Sequence, residues 1–86
     1  MLCVASKRFL KEFAKLPKAT KRKAVAALEL FTHDSTSSTL RNHALAGKWK
    51  NHFSIDITGD TRAIYVKVES NVAYFVTIGS HSELDG

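Results

Sequence analysis

The chain has 86 residues and 44% hydrophobic content, enough for one domain over 1–86 that buries about 60–65% of its unfolded surface and too apolar for a disordered chain. Its one cysteine, Cys3, excludes an internal disulfide, and a small fold without staples fits a reducing cytoplasmic setting. No apolar stretch approaches the ~20 residues that span a membrane, and basic residues interleaved with apolar ones at the N-terminus do not make a secretion signal.

The net charge of +5 is unevenly placed. Of thirteen lysines and arginines, eight (Lys7, Arg8, Lys11, Lys15, Lys18, Lys21, Arg22 and Lys23) fall within residues 7–23, opposed there only by Glu12. Most such runs are solvated helix faces. One this lopsided also attracts phosphate backbones or an acidic protein.

In chain order, Leu2–Ala5 suits a short strand. Ser6 is a suitable N-cap, and Phe9, Leu10, Phe13, Ala14 and Leu16 recur on one helical stripe. Pro17 ends that helix and can open a second, with Ala24, Val25, Leu28 and Phe31 facing inward. The two form a basic antiparallel hairpin. His33–Thr39 is a loop, and residues 39–50 (TLRNHALAGKWK) carry no clear period. Residues 52–57 alternate, with Phe53, Ile55 and Ile57 on one face and His52, Ser54 and Asp56 on the other. Thr58-Gly59-Asp60 is a turn, residues 61–68 form the next strand, and residues 72–78 form the last, which breaks at Gly79. The order is β-α-α-β-β-β, an α+β fold: an antiparallel meander with the N-terminal helical hairpin on one face. The opposite face, with Asp56, Ser54, His52 and at its margin Tyr65 and Lys67, is a candidate cleft floor.

The residues able to carry chemistry are His43, Asp60, Arg62 and His81. Each alone has an ordinary explanation: a loop cap, a turn aspartate, a surface ion pair, a polar tail. In a meander, however, the end of the last strand lies beside the start of the one before it, so His81 should approach Asp60 and Arg62. RNA cleavage needs the 2′-OH deprotonated, a charged phosphorane stabilised and the 5′-oxygen protonated. Histidine serves the proton transfers and arginine grips phosphate oxygens. No HExxH or Cys/His ligand spacing suggests a metal. The direction of Arg62 depends on the hairpin. A plain two-residue turn would place it on the apolar face and a bulge on the Asp56 side.

The stretches "LRNHALAGKWK", "SIDITGDTRAIY" and "TIGSHSEL", within residues 40–84 and preceded by the helical hairpin, resemble the RelE superfamily of bacterial toxins, most closely its YafQ-like branch. The resemblance implies a small toxin of a type II toxin–antitoxin module that cuts mRNA on the ribosome without a metal or small-molecule cofactor. It also implies a cognate acidic antitoxin as partner and no membrane. Carried over, His43 is the histidine of "NHxLxG", Asp60 the turn aspartate, Arg62 the phosphate-binding arginine of "R-x-x-Y", and His81 the proton donor of "GSHSEL". Lys48, Lys50 and Asp56 are then RNA-binding candidates. Two departures stand out: Asp56 replaces a second strand histidine, and Leu84-Asp85-Gly86 replaces an aromatic ending. Two other functions remain compatible with the residues: a ParE-like, non-hydrolytic inhibitor of gyrase, and a non-enzymatic RNA-binding domain using the basic helices.

Overall fold

The computed structural model describes residues 1–85; Gly86, the last residue of the Leu84-Asp85-Gly86 ending, lies outside them. Ser6 caps the first helix, its Oγ accepting the Phe9 N–H at 3.0 Å. β1 (Leu2–Ala5) leads into α1 (Lys7–Ala14), Pro17 precedes α2 (Lys18–His33), and β2 (His43–Ala44), β3 (Phe53–Asp56), β4 (Thr61–Glu69), β5 (Val72–Ser80) and α3 (His81–Asp85) follow. The sheet order is β1-β5-β4-β3-β2, with β1 parallel to β5 and the other neighbours antiparallel.

Aromatic side chains join the helical hairpin to the sheet. Phe9 of α1 meets Phe75 at 5.7 Å between ring centroids, and Phe31 of α2 meets Phe75 at 5.4 Å and Tyr65 at 5.0 Å. Aromatic rings bury large apolar areas and prefer such tilted contacts, so these few residues fix where the hairpin sits. The inward stripe of α2 is narrower than its periodicity predicts. Ala24 and Phe31 are buried, but Val25 is 46% exposed, as Leu10 of α1 is at 57%. Val25 lines an open apolar groove with Leu10, Phe13 and Cys3 instead.

Two expectations change, at Gly79 and on the cleft floor, and two stretches left open by the sequence take a definite form. The last strand does not break at Gly79 but runs to Ser80, because Arg62 and Thr61 of β4 still pair with Gly79 and Ser80. The serine- and histidine-bearing ending is a helix, α3, and not a tail. Residues 39–50 contribute two 3₁₀ turns and the two-residue β2, which has too few residues to leave a periodic signal. Tyr65 and Lys67 leave the supposed cleft floor. Tyr65 is buried among the helix-side aromatics, and the Lys67 ammonium lies 5.3 Å from the Phe53 ring centroid.

The outer edge of β5 beyond β1 is closed by side chains. Ser6 Oγ donates to the Val76 carbonyl at 2.8 Å. Glu12 Oε1 accepts the Ile78 N–H at 3.2 Å and the buried Thr77 hydroxyl at 2.6 Å. An unpaired strand edge invites foreign strands, and a carboxylate that takes its outward N–H blunts it.

Candidate active site

The β3–β4 hairpin settles where Arg62 points. Its loop is three residues, Thr58-Gly59-Asp60, closed by the Ile57 N–H on the Thr61 carbonyl at 2.9 Å. Thr58 Oγ1 accepts the N–H groups of Asp60 (3.2 Å) and Thr61 (2.9 Å), a hydroxyl turn that mimics a backbone turn. The extra residue relative to a two-residue turn pairs Asp56 with Arg62, and paired residues share a face. Arg62 therefore lies on the Asp56 side.

At the neighbouring strand end, the Ser80-His81-Ser82-Glu83 stretch is a capping box. Glu83 Oε1 accepts the Ser80 N–H at 2.8 Å, and Ser80 Oγ accepts the Glu83 N–H at 3.2 Å. Donation to the carboxylate from the Ser80 backbone N–H first, and then from the Ser80 hydroxyl, holds the Glu83 carboxyl below its usual range. A Cβ on residue 79 would stand 3.2 Å from Glu83 Oε1, so Gly79 lets the box close. His81 is thereby the first residue of α3, and its N–H bonds the Asp60 carbonyl at 2.9 Å.

The third component is the loop before β2. Asn42 anchors it twice, its Nδ2 donating to the Ser35 carbonyl and its Oδ1 accepting the Tyr65 hydroxyl, each at 2.9 Å. Burial pushes the Tyr65 phenol up, so it stays a donor. Around this anchor Arg41 adopts a left-handed backbone, φ 49°, and His43 pairs with Ser54 of β3. The His43 Nδ1 lies 2.7 Å from the Arg41 carbonyl. A carbonyl only accepts, so Nδ1 carries the proton and Nε2 of the neutral ring is the basic nitrogen.

Arg41, Asn42, His43, Asp56 and Arg62 line one open cleft. Asp56 bridges the two arginines, with Oδ1 3.7 Å from Arg62 Nε and Oδ2 3.6 Å from Arg41 Nε. Asp60 and His81 join at the adjoining edge through the main chain. Lys48 and Lys50 are not among the cleft's lining. They belong to the 3₁₀ turn at Gly47–Trp49 and the residue after it, where the Lys48 ammonium lies 5.9 Å from the Trp49 ring centroid. Trp49 in turn donates its indole N–H to the Leu84 carbonyl at 3.1 Å, pinning α3. Among the described residues no group of three or more His, Cys, Asp or Glu side chains is placed to hold a metal ion.

Sequence reasoning missed Arg41, Asn42, Trp49 and the role of Glu83. The capping box was readable as S-x-x-E. Arg41 and Asn42 had no local signal, since partners 7 to 23 residues away define them.

No curated protein matches the chain. Among solved structures it is similar to YafQ from E. coli strain BL21(DE3), 22% identical over 98% of this chain and 97% of that one with a TM-score of 0.80. It is also similar to a chain of the E. coli DinJ–YafQ toxin–antitoxin complex, 23% identical over 98% and 96% with a TM-score of 0.78. A toxin from Helicobacter pylori is 26% identical over 98% of each chain, with a TM-score of 0.68. The model of the YafQ family, described as bacterial toxins of type II toxin–antitoxin systems, matches residues 3–86. The chain belongs to this family of toxins.

Proposed function

We propose that this toxin is a metal-independent endoribonuclease that cuts mRNA, with the ribosome as its working platform. The observation that carries the reading is the 2.9 Å bond from the His81 N–H to the Asp60 carbonyl, which sets a histidine and an aspartate at the strand edge where Arg62 pairs with Gly79. His43, whose basic nitrogen is Nε2, takes the 2′-OH proton. The 2′-oxygen attacks phosphorus, and Arg62 holds the nonbridging oxygens as charge builds on them. His81 gives its proton to the departing 5′-oxygen, leaving a 2′,3′-cyclic phosphate.

The partner is a cognate antitoxin with an acidic segment that folds on the basic helices and reaches the cleft. The family's membership in toxin–antitoxin systems and the one-sided charge of residues 7–23 support it. Induced expression in a bacterial host, followed by primer extension on cellular mRNA, tests both. Growth arrest with discrete new 5′ ends, reversed by the neighbouring gene product, is the expected result. Arrest with intact mRNA would overturn the nuclease reading.

A further inference from the structure

The pairing of Asp56 with two arginines has no part in the reaction as written. Its acidity is also odd at the centre of a cleft meant for RNA. Neither separation, 3.6 or 3.7 Å, is a hydrogen bond. The Arg62 Nε is buried and has no hydrogen-bond partner among the described residues. Two positive charges face one negative charge, and the Arg41 side chain is 77% exposed, so its pair with Asp56 holds it weakly.

We propose that Arg41 and Arg62 form a two-armed clamp for a phosphate of the RNA strand. Asp56 is its resident counter-ion, which the phosphate displaces from both guanidinium groups. The proposal rests on the nuclease reading for its substrate and adds a second arm and a carboxylate that opposes binding. A phosphate accepts from guanidinium forks with shorter, better-aligned bonds than Asp56 makes here, and it gives the orphaned Arg62 Nε–H an acceptor. Asp56 cannot follow, because two anions sharing one site repel. The backbone supports the second arm. Arg41 is held at φ 49°, uncommon for a residue with a side chain, and the doubly bonded Asn42 fixes the loop that carries it. Asp56 thus keeps the two arginines beside the cleft and lowers affinity for any single phosphate, so that tight binding needs several contacts at once.

The test follows the arginine Nε–H signals by NMR while titrating inorganic phosphate and then a single-stranded 2′-O-methyl RNA that cannot be cut. The Arg41 and Arg62 signals should move together. Asp56→Asn should bind the oligonucleotide about tenfold tighter at low salt, with a salt slope steeper by up to about one. Arg41→Gln should weaken wild-type binding, a comparison that stands even if Asp56→Asn folds poorly, and should remove most of the gain in the double variant. Equal or weaker binding by a folded Asp56→Asn, or unmoved Nε–H signals in a saturated complex, would overturn the clamp. A wild-type protein that shows the clamp response yet leaves the 2′-OH oligonucleotide and ribosome-bound mRNA uncut would support the clamp and remove the nuclease reading alone.

Discussion

Ser80 and Glu83 hold each other at both ends. The Glu83 carboxylate takes the Ser80 N–H at 2.8 Å, and the Ser80 hydroxyl oxygen takes the Glu83 N–H at 3.2 Å. Between them His81 has little choice of position, since its own N–H is tied to Asp60. The histidine flanked by serines is therefore the first turn of a capped helix, and its backbone is set before any substrate arrives.

That relationship has a pH signature. The folded-state Glu83 carboxyl is held low, so its contribution is fully present above the ordinary carboxylate range and fades as the pH falls through the lowered folded value. The protection of the Ser80 and Glu83 amides, taken relative to their intrinsic exchange rates, should therefore fall as the pH drops through that lowered value while the core of β4 and β5 stays protected. Glu83→Ala, which removes the acceptor, should exchange rapidly at neutral pH as well. Unchanged protection in that variant would mean that α3 is held by Leu84 and Trp49 instead.

His81→Ala should retain the fold, because the imidazole is exposed and the tie to Asp60 is through the backbone. Loss of a proton donor costs about 10²–10⁴ in rate. Cleavage by the purified variant on ribosome-bound mRNA, together with toxicity at matched expression, measures this. Wild-type activity would end the assignment.

Tyr65→Phe removes one of the two anchors of Asn42 and keeps the ring packing. Loss of one neutral hydrogen bond should cost about 1 kcal/mol in a denaturant titration. Because the loosened loop carries Arg41 and His43, KM should rise more than kcat falls. A change in stability with wild-type kinetics would show that the loop is held without the tyrosine.

Glu12→Ala leaves the Thr77 hydroxyl and the Ile78 N–H without their acceptor. Unsatisfied buried groups cost about 1–3 kcal/mol, so thermal unfolding should come earlier, and the opened β5 edge should raise the tendency to self-associate. Light scattering and a thermal melt report the two effects separately.

Reversing Lys11, Lys15, Lys18 and Arg22 tests whether the basic helices dock on ribosomal RNA. Each lost phosphate contact should reduce the log–log salt slope of ribosome binding by up to about one, while cleavage of mRNA at saturating enzyme persists. An unchanged slope would make these charges a solvated face.

Local chemistry was enough to determine much of this protein. The Ser6 cap, the helical stripes bounded by Pro17, the alternation through Phe53 and Ile55, and the turn at Thr58-Gly59-Asp60 all act over a few residues, so periodicity and capping rules expose them. The adjacency of His81 and Asp60 also followed, because a meander places those two strand ends side by side. The hand of Arg62 did not, since a single extra loop residue reverses the face of every side chain beyond it. The bridging of Arg41 and Arg62 by Asp56, the anchoring of Asn42 by Tyr65, and the clasp of Trp49 on Leu84 join residues 6 to 35 positions apart. Such contacts exist only after the sheet has closed and α3 has folded back. They belong to the tertiary structure because no residue in them has a local neighbour that dictates its partner.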